Sequence, residues 1–458
     1  MTDFRQSAHP TRIERVEQLV DEMHRAGRPR ERWMIGTEYE KVVVVRATGA
    51  AAPFSGPRGI EAVLRGLAER YGWEPKEEDG RTVALARAGA SITLEPGGQL
   101  ELSGEQCPSI HCTAAELATH VREVVTVAGE LGLAVLGLGM QPVSAVADIE
   151  WVPKQRYRIM GPYMTRVGRL GQRMMKQTAT VQANIDYADE ADAMTKMRVG
   201  MGIAPLVNAM FANSSVSDGD LNGYMSHRGH IWTDTDRARC GLLAFMFRDD
   251  AGFRDYVEWA LDVPLYFILR DGRYRTDVTG MPFRRFLAEG AAGERATLDD
   301  WNLHLTTLFP EVRLKGYIEL RSADSQPPER MLALPALVKG VFYTTDCVEA
   351  AWDLVKRWSF DERVASWHEV HREALFARIR GIRVLELAQE LYAIAEEGLR
   401  RQAVVDERGR DERVYLEQLG AQLESGRSPA RVIAEKWRNE WPWDQRIERL
   451  IAYAEYRA

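Results

Sequence analysis

Cysteine is scarce: Cys107, Cys112, Cys240 and Cys347 are the only four in 458 residues, and none stands in CxxC spacing. Four are too few for a disulfide scaffold, and a reducing cytosol is the simplest compartment. Long apolar runs are missing too. The best, Leu131 to Met140, is broken by glycines and follows Glu130, well short of the roughly 20 residues a membrane-spanning helix needs. There is no basic excess: 67 acids face 60 lysines and arginines, a net charge of -7. That argues against an electrostatic nucleic-acid binder, and with no apolar run of spanning length neither nucleic acid nor membrane is an expected partner. The first twenty residues have no apolar h-region and carry acids early, so the expectation is a chain whose mature form begins at Met1. Repeats of solenoid length and Ser/Gly/Pro-rich linkers are also absent.

What is present is ordinary globular composition, 45% hydrophobic and 28% charged, in a chain longer than the roughly 250 to 300 residues at which single cores stop growing. Apolar periodicity of 3.6 places helices near 10–26, 59–71, 112–131 and 190–212, and period-two alternation places strands near 33–46, 82–86, 90–103, 133–140, 179–187 and 315–321. After about residue 329 nearly every segment is helical in pattern. The expected fold is α+β, with a body over 1–345 and a helical C-terminal region over 346–458 packed on it as one integrated domain.

Four strand-like segments carry acids or amides along one face. In IGTEYEK, Glu38 and Glu40 stand two apart and so share a face, roughly 7 Å from each other. In ITLEPGGQLELS, Gln99, Glu101 and Ser103 oppose Leu100 and Leu102. In TVQANID, Gln182, Asn184 and Asp186 alternate with Val181, Ala183 and Ile185. In GYIELRS, Tyr317, Glu319 and Arg321 alternate with Ile318 and Leu320. Taken singly, each reads as a strand with one solvated face. Together they need another reason, because glutamate is depleted in strands. Magnesium supplies one: a hard cation held by a few carboxylates plus substrate phosphates. Arg321 would then meet a transferred phosphoryl group or a substrate carboxylate.

The segment SHRGHIWTDTDR, residues 226–237, is loop-like and dense in polar groups, and reads equally as a binding loop or as a capped turn. Magnesium makes no demand for His227 or His230. His368-Glu369-Val370-His371 is one residue short of HExxH, and neither a GxxxxGK[ST] loop, a GxGxxG fingerprint nor GxSxG occurs. A nucleotide would have to be held through metal and sheet.

The ordered string IGTEYEK, SITLEPGGQLELSG, TVQANIDY, FANSS, HIWTDTDR, ALDVPLYF, HLTTLFPEVRLKGYIELRSAD and ALPAL resembles the plant and proteobacterial type of glutamate–cysteine ligase, closely over 33–345 and more loosely beyond. The resemblance implies a glutamine-synthetase-like antiparallel sheet funnel flanked by helices. It also implies ATP-dependent joining of glutamate to cysteine through a γ-glutamyl phosphate, the first step of glutathione biosynthesis. It suggests Glu38, Glu40, Glu95, Glu101 and Glu319 as magnesium ligands, with Gln182 standing where related bacterial ligases place a histidine. Arg321 and Glu319 would serve the phosphoryl chemistry, Arg228 would grip the glutamate α-carboxylate, and Trp232, Tyr266 and Asn184 would shape that pocket. Plant enzymes of this type use a regulatory disulfide between segments matching 111–116 and 330–335. Ala114 and Leu332 stand there, so no such switch is expected, and a cytoplasmic enzyme, monomer or homodimer, is the expectation. Two readings compete: the same machinery with another amine acceptor or thiol pathway, and a non-catalytic glutamate-binding homologue.

Overall fold

The computed structural model describes residues 10–457; the reading of the first nine lies outside them. Nine strands form one sheet: β1 (Ile35–Val45), β2 (Glu74–Glu78), β3 (Arg81–Arg87), β4 (Ala90–Leu94), β5 (Leu100–Ser103), β6 (Leu133–Leu136), β7 (Thr180–Ile185), β8 (Val312–Leu314) and β9 (Ile318–Asp324). Their order is β8-β9-β7-β1-β5-β4-β3-β2, with β6 paired to the far end of β1. Each pairing is antiparallel. The α+β sheet with flanking helices matches the expected fold class.

Register does what alternation alone could not. Glu40 lies opposite Glu101, Glu101 opposite Thr93, Glu38 opposite Ser103 and Gln182, and Glu319 opposite Asn184 and Arg313. Directly opposed residues share a face, so the polar positions of six strands form one continuous patch. The other face carries Tyr39, Ile92, Leu100, Leu102, Val181 and Ala183, all buried. It is covered by α2 (Ile110–Glu130), α4 (Glu190–Met210) and α6 (Ala333–Phe342), which touch the strands directly. Burying such a face at about 25 cal/mol per Å² is what holds the polar side rigid. Helices α3 (Gln155–Val167) and α5 (His227–Trp232) close over the polar side, while α1 (Ile60–Tyr71) packs beside β3, and α7 (Phe360–Glu373) packs against α4 and α5. A single buried cluster contains residues from Ile13 to Tyr456, so the late helices and the sheet share a core. Among the described residues no single helix is long and apolar enough to cross a membrane.

Several expectations change. The first helix is shorter than 10–26, running Glu17–Arg25. Segment 74–78, Glu-Pro-Lys-Glu-Glu, is the edge strand β2, invisible to period-two patterning because it has no apolar face; a charged, proline-bearing edge is one that resists further pairing. The segment 226–237 begins as a helix, α5, whose N-cap Ser226 accepts from the Gly229 amide.

Two cysteines are joined: Cys107 and Cys112 form a disulfide with Cα atoms 5.7 Å apart. This corrects the reading of a wholly reduced set. The C-x4-C spacing folds back because Cys107 ends a segment bridged to Ile35, while Cys112 lies in the first turn of α2, capped by Ser109. The chain-entropy estimate for so short a loop is about 2 kcal/mol. Cys112→Ser is therefore expected to lower unfolding stability by about that amount, read as a lower urea midpoint that reductant no longer changes. A midpoint equal to that of the oxidised parent would refute it.

Candidate active site

The polar face of the sheet floors a cleft lined by Glu38, Glu40, Glu95, Gln99, Glu101, Gln182, Arg313 and Arg321, with Arg228 and Trp232 of α5 on the facing side and Tyr157, Met160, Met174 and Met175 closing one wall. Glu95 is not on the strand ladder. It follows β4 in the turn Glu95-Pro96-Gly97-Gly98, where its amide donates to the Gln99 carbonyl at 3.0 Å and Gly98 takes φ +83°. That turn folds Glu95 back over Glu101, and carboxylate oxygens of Glu40, Glu95 and Glu101 all lie within 4.8 Å of one another. Three hard oxygen donors so close are able to hold a divalent cation.

Electrostatics agree with that geometry. Burial, and then the charges of Glu95 and Glu101, push the Glu40 carboxyl well above the usual carboxylate range, against a Thr180 amide bond of 2.9 Å. Glu95 is pushed up by burial and then by Glu101, and Glu38 by burial and then by Glu319. Glu101 accepts from the hydroxyls of Ser103 at 2.7 Å and Thr93 at 2.9 Å.

Glu319 sits differently. It is fully buried, with Arg313 at 2.6 Å, Lys315 at 3.1 Å and Arg321 at 2.6 Å. Burial opposes its ionisation, but the three cations outweigh that and hold it well below the ordinary range. Both oxygens are already engaged, and they lie outside the Glu40–Glu95–Glu101 group. Arg321 also donates to the Gln182 carbonyl oxygen, while the Gln182 amide donates to Glu38 at 3.1 Å. Glu319, Arg321, Gln182 and Glu38 thus form one chain of contacts across three strands.

Arg228 is buried and donates to the Arg321 carbonyl at 3.0 Å, with Asp324 3.9 Å away. Arg228 and Trp232 are four apart on α5, so both face the cleft. The indole N–H of Trp232 is buried and has no partner among the described residues. Gly229 lies between them against α7. A Cβ there would fall 2.4 Å from His371 Cδ2, so only glycine permits the approach.

Two suggested residues lie elsewhere. Tyr266 is outside the cleft: its ring stacks under Arg239, with Cζ 3.9 Å from the centroid, and its hydroxyl meets Met164 Sδ at 3.6 Å. Asn184 lines a neighbouring cavity of about 240 Å³ with Met34, Gly36, Ser91, Gln106 and Tyr317, and its amide reaches Glu38 at 3.5 Å. Glu38 borders both spaces. Reading by residue type missed Arg313 and Lys315. Their signal was present: Arg313 and Glu319 are equidistant from Gly316, which has φ +79°, and so become hairpin partners.

The family model of glutamate-cysteine ligase family 2 matches residues 34–452. The chain belongs to that family. Rice (Oryza sativa subsp. japonica) glutamate–cysteine ligase B, chloroplastic, is 42% identical over 417 residues, 90% of this chain and 82% of the relative. The chloroplastic enzyme of Arabidopsis thaliana is 40% identical over 428 residues, 93% and 80%. A crystal structure of glutamate–cysteine ligase from Francisella tularensis in complex with AMP has the same fold, with a TM-score of 0.53 at 12% identity, covering 92% of this chain and 88% of that one. The chain is thus an enzyme, a ligase, and the non-catalytic reading falls. The expectation of a cytoplasmic enzyme is overturned as well, because the relatives matching nine-tenths of the chain are chloroplastic proteins.

Proposed function

We propose that the acid-lined cleft holds glutamate and the 240 Å³ cavity holds the nucleotide, with phosphoryl transfer at their shared wall, Glu38. The reaction is ATP-dependent formation of γ-glutamylcysteine, the first step of glutathione biosynthesis. One observation carries the arrangement: Glu38 lines both spaces and is tied through Gln182 to Arg321.

A carboxylate is a poor electrophile, so its γ-oxygen first attacks the terminal phosphorus of ATP and ADP leaves. The cysteine amine then attacks the acyl carbon, phosphate leaves with the C–O bond pair, and the nitrogen's surplus proton goes to the departing phosphate. Arg228 and the unpartnered Trp232 N–H bind the α-carboxylate of glutamate. Arg321, fixed by Glu319, meets the negative charge of the phosphoryl group in both steps. Glu319 acts through Arg321 as a positioning residue. Glu40, Glu95 and Glu101 would hold a divalent cation, with magnesium the fitting choice for an all-oxygen set, and when bound it supplies charge neutralisation between triphosphate and carboxylate. Asn184 and Tyr317 border the base or ribose. The methionine wall, Met160, Met174 and Met175, offers soft, polarisable surface to the acceptor's thiol.

ADP release measured with glutamate, cysteine, magnesium and ATP, each omitted in turn, tests the reading together with Glu38→Gln. Turnover is expected to need all four and to fall roughly 10²-fold or more in the variant while its thermal midpoint stays within a few degrees. Turnover equal to the parent's would remove Glu38 from the shared wall.

A further inference from the structure

Helix α5 has a second face. Arg228 and Trp232 look into the cleft, whereas His230 borders a separate cavity of about 470 Å³ with Arg169, Asp234, Arg237, Trp367 and His368. None of these side chains lines the catalytic cleft apart from the helix they share. Two observations say what the space would take.

The first is charge. Arg169 is bonded to Asp234 and offset by it. Arg237 makes no ion pair with the described residues and is exposed at the rim. The cavity therefore carries about one net positive charge in a chain whose net charge is -7. Burial lowers both His230 and His368, so near neutral pH each imidazole is uncharged and offers one N–H and one acceptor nitrogen. The second is an unmet donor. Trp367 is only 6% exposed, and its indole N–H, closed to solvent, has no partner among the described residues. The six-membered edge of its ring rests 3.7 Å from the position of a Cβ on Gly241, which leaves the pyrrole edge on the other side. A buried N–H without a partner costs about 1–3 kcal/mol and is relieved by an acceptor oxygen.

The cavity is mechanically joined to the substrate site. His371, one turn beyond Trp367 and His368 on α7, accepts through its backbone carbonyl from the amides of Met225 and Ser226 at 2.9 Å each, just where α5 begins. Its ring is fully buried against Gly229, the residue after Arg228. On the exposed side, Tyr224 stacks on His230 with centroids 4.2 Å apart. A ligand that draws α7 and the 233–237 turn together would act on these contacts at both ends of the helix bearing Arg228.

We propose that this cavity is a second binding site, for a small oxyanion presenting a carboxylate or a phosphate, and that its occupancy is felt at Arg228 through the shared helix. The anion's oxygens meet Arg237 and the two imidazoles, the buried Trp367 N–H joins them as the indole turns toward the cavity, and an apolar body, where there is one, lies along Leu170.

Titration calorimetry of the full chain with inorganic phosphate and, separately, with succinate tests this. Phosphate also enters the catalytic cleft, so the titration is repeated in Arg321→Ala. An anion site is expected to survive there and to weaken about tenfold on adding Arg237→Ala, and also on adding Trp367→Phe, which removes the N–H but keeps the ring. Binding of phosphate alone would make the site tetrahedral-selective, of succinate alone a carboxylate site, and of both a general oxyanion site; each supports the proposal. In kinetics with Arg321 intact, the anion is expected to shift KM for glutamate at least twofold in the parent and not in Arg237→Ala, which should keep the parent's basal kcat. Loss of all anion binding in Arg321→Ala, or equal affinity with and without Arg237, would overturn the site. Unchanged KM with Arg237-dependent binding would overturn the coupling.

Discussion

Arg321→Lys should cost the ligase roughly 10²–10³ in kcat, the range found when one preorganised donor to developing charge is removed, with KM for ATP changed far less. The guanidinium is held from both sides: Glu319 anchors it at 2.6 Å, and the Gln182 carbonyl oxygen takes a second bond from the same nitrogen. Trp232 and Phe309 lie beneath it, with Cζ 6.0 and 5.7 Å from their ring centroids. This leaves its remaining N–H groups fixed toward the cleft before substrate arrives. A lysine ammonium is a point charge on a flexible stem and cannot hold that planar contact with two acceptors and a phosphoryl group together. Folding should survive, because Glu319 keeps Arg313 and Lys315 as partners and no buried charge is left alone. The check is steady-state kinetics beside a thermal melt. A kcat within twofold of the parent at an unchanged midpoint would place the phosphoryl group away from Arg321.

How much of this was legible in the chain follows from what period two can and cannot carry. Alternation correctly put Glu38 with Glu40, Gln99 with Glu101, and Gln182 with Asn184, because side-chain direction within a strand is a local property. It could not say which strands would be neighbours, and neighbours decide that Glu40 faces Glu101 while Glu319 faces Arg313. Glu95 shows the same limit. Its part in the cluster comes from the Pro96-Gly97-Gly98 turn, in which Gly97 packs so tightly that a Cβ would lie 2.1 Å from the Lys176 carbonyl oxygen, a contact more than 70 residues away in sequence. Tyr266 was misplaced for a related reason. Family resemblance locates a segment, but Arg239, held by Asp236 at 2.6 Å, draws this ring out of the cleft. The disulfide was illegible because Cys107 and Cys112 meet only once the bridge to Ile35 and the first turn of α2 have formed. Neither Met160 nor Met174 announced itself, since a methionine at helical spacing reads as core wherever the helix packs.

Glu40→Gln is expected to stabilise the cation-free enzyme while reducing turnover by roughly 10² or more, a trade of activity against stability that follows from where the charge sits. Glu40 is buried beside two other carboxylates, and Arg228 offsets only part of their repulsion. Its folded-state pKa lies above its unfolded value. The penalty is therefore absent below the ordinary carboxylate range, where both states are protonated. Stability is then lost as pH rises through the interval up to the raised value, and the loss is constant beyond it. Glutamine keeps the shape and still accepts the Thr180 amide bond, but it cannot ionise. Without divalent cation the variant should therefore melt above the parent at pH 8 and together with it near pH 4. Magnesium reverses the order at pH 8, because binding to the folded state alone raises the parent's midpoint, while the variant has one anionic ligand fewer and gains less. Thermal melts at both pH values, with and without magnesium chloride, beside initial rates, decide it. A variant less stable than the parent at pH 8 without cation would mean that Glu40 is not under strain from Glu95 and Glu101, and an equal magnesium gain in both proteins would mean that these three oxygens do not hold the ion.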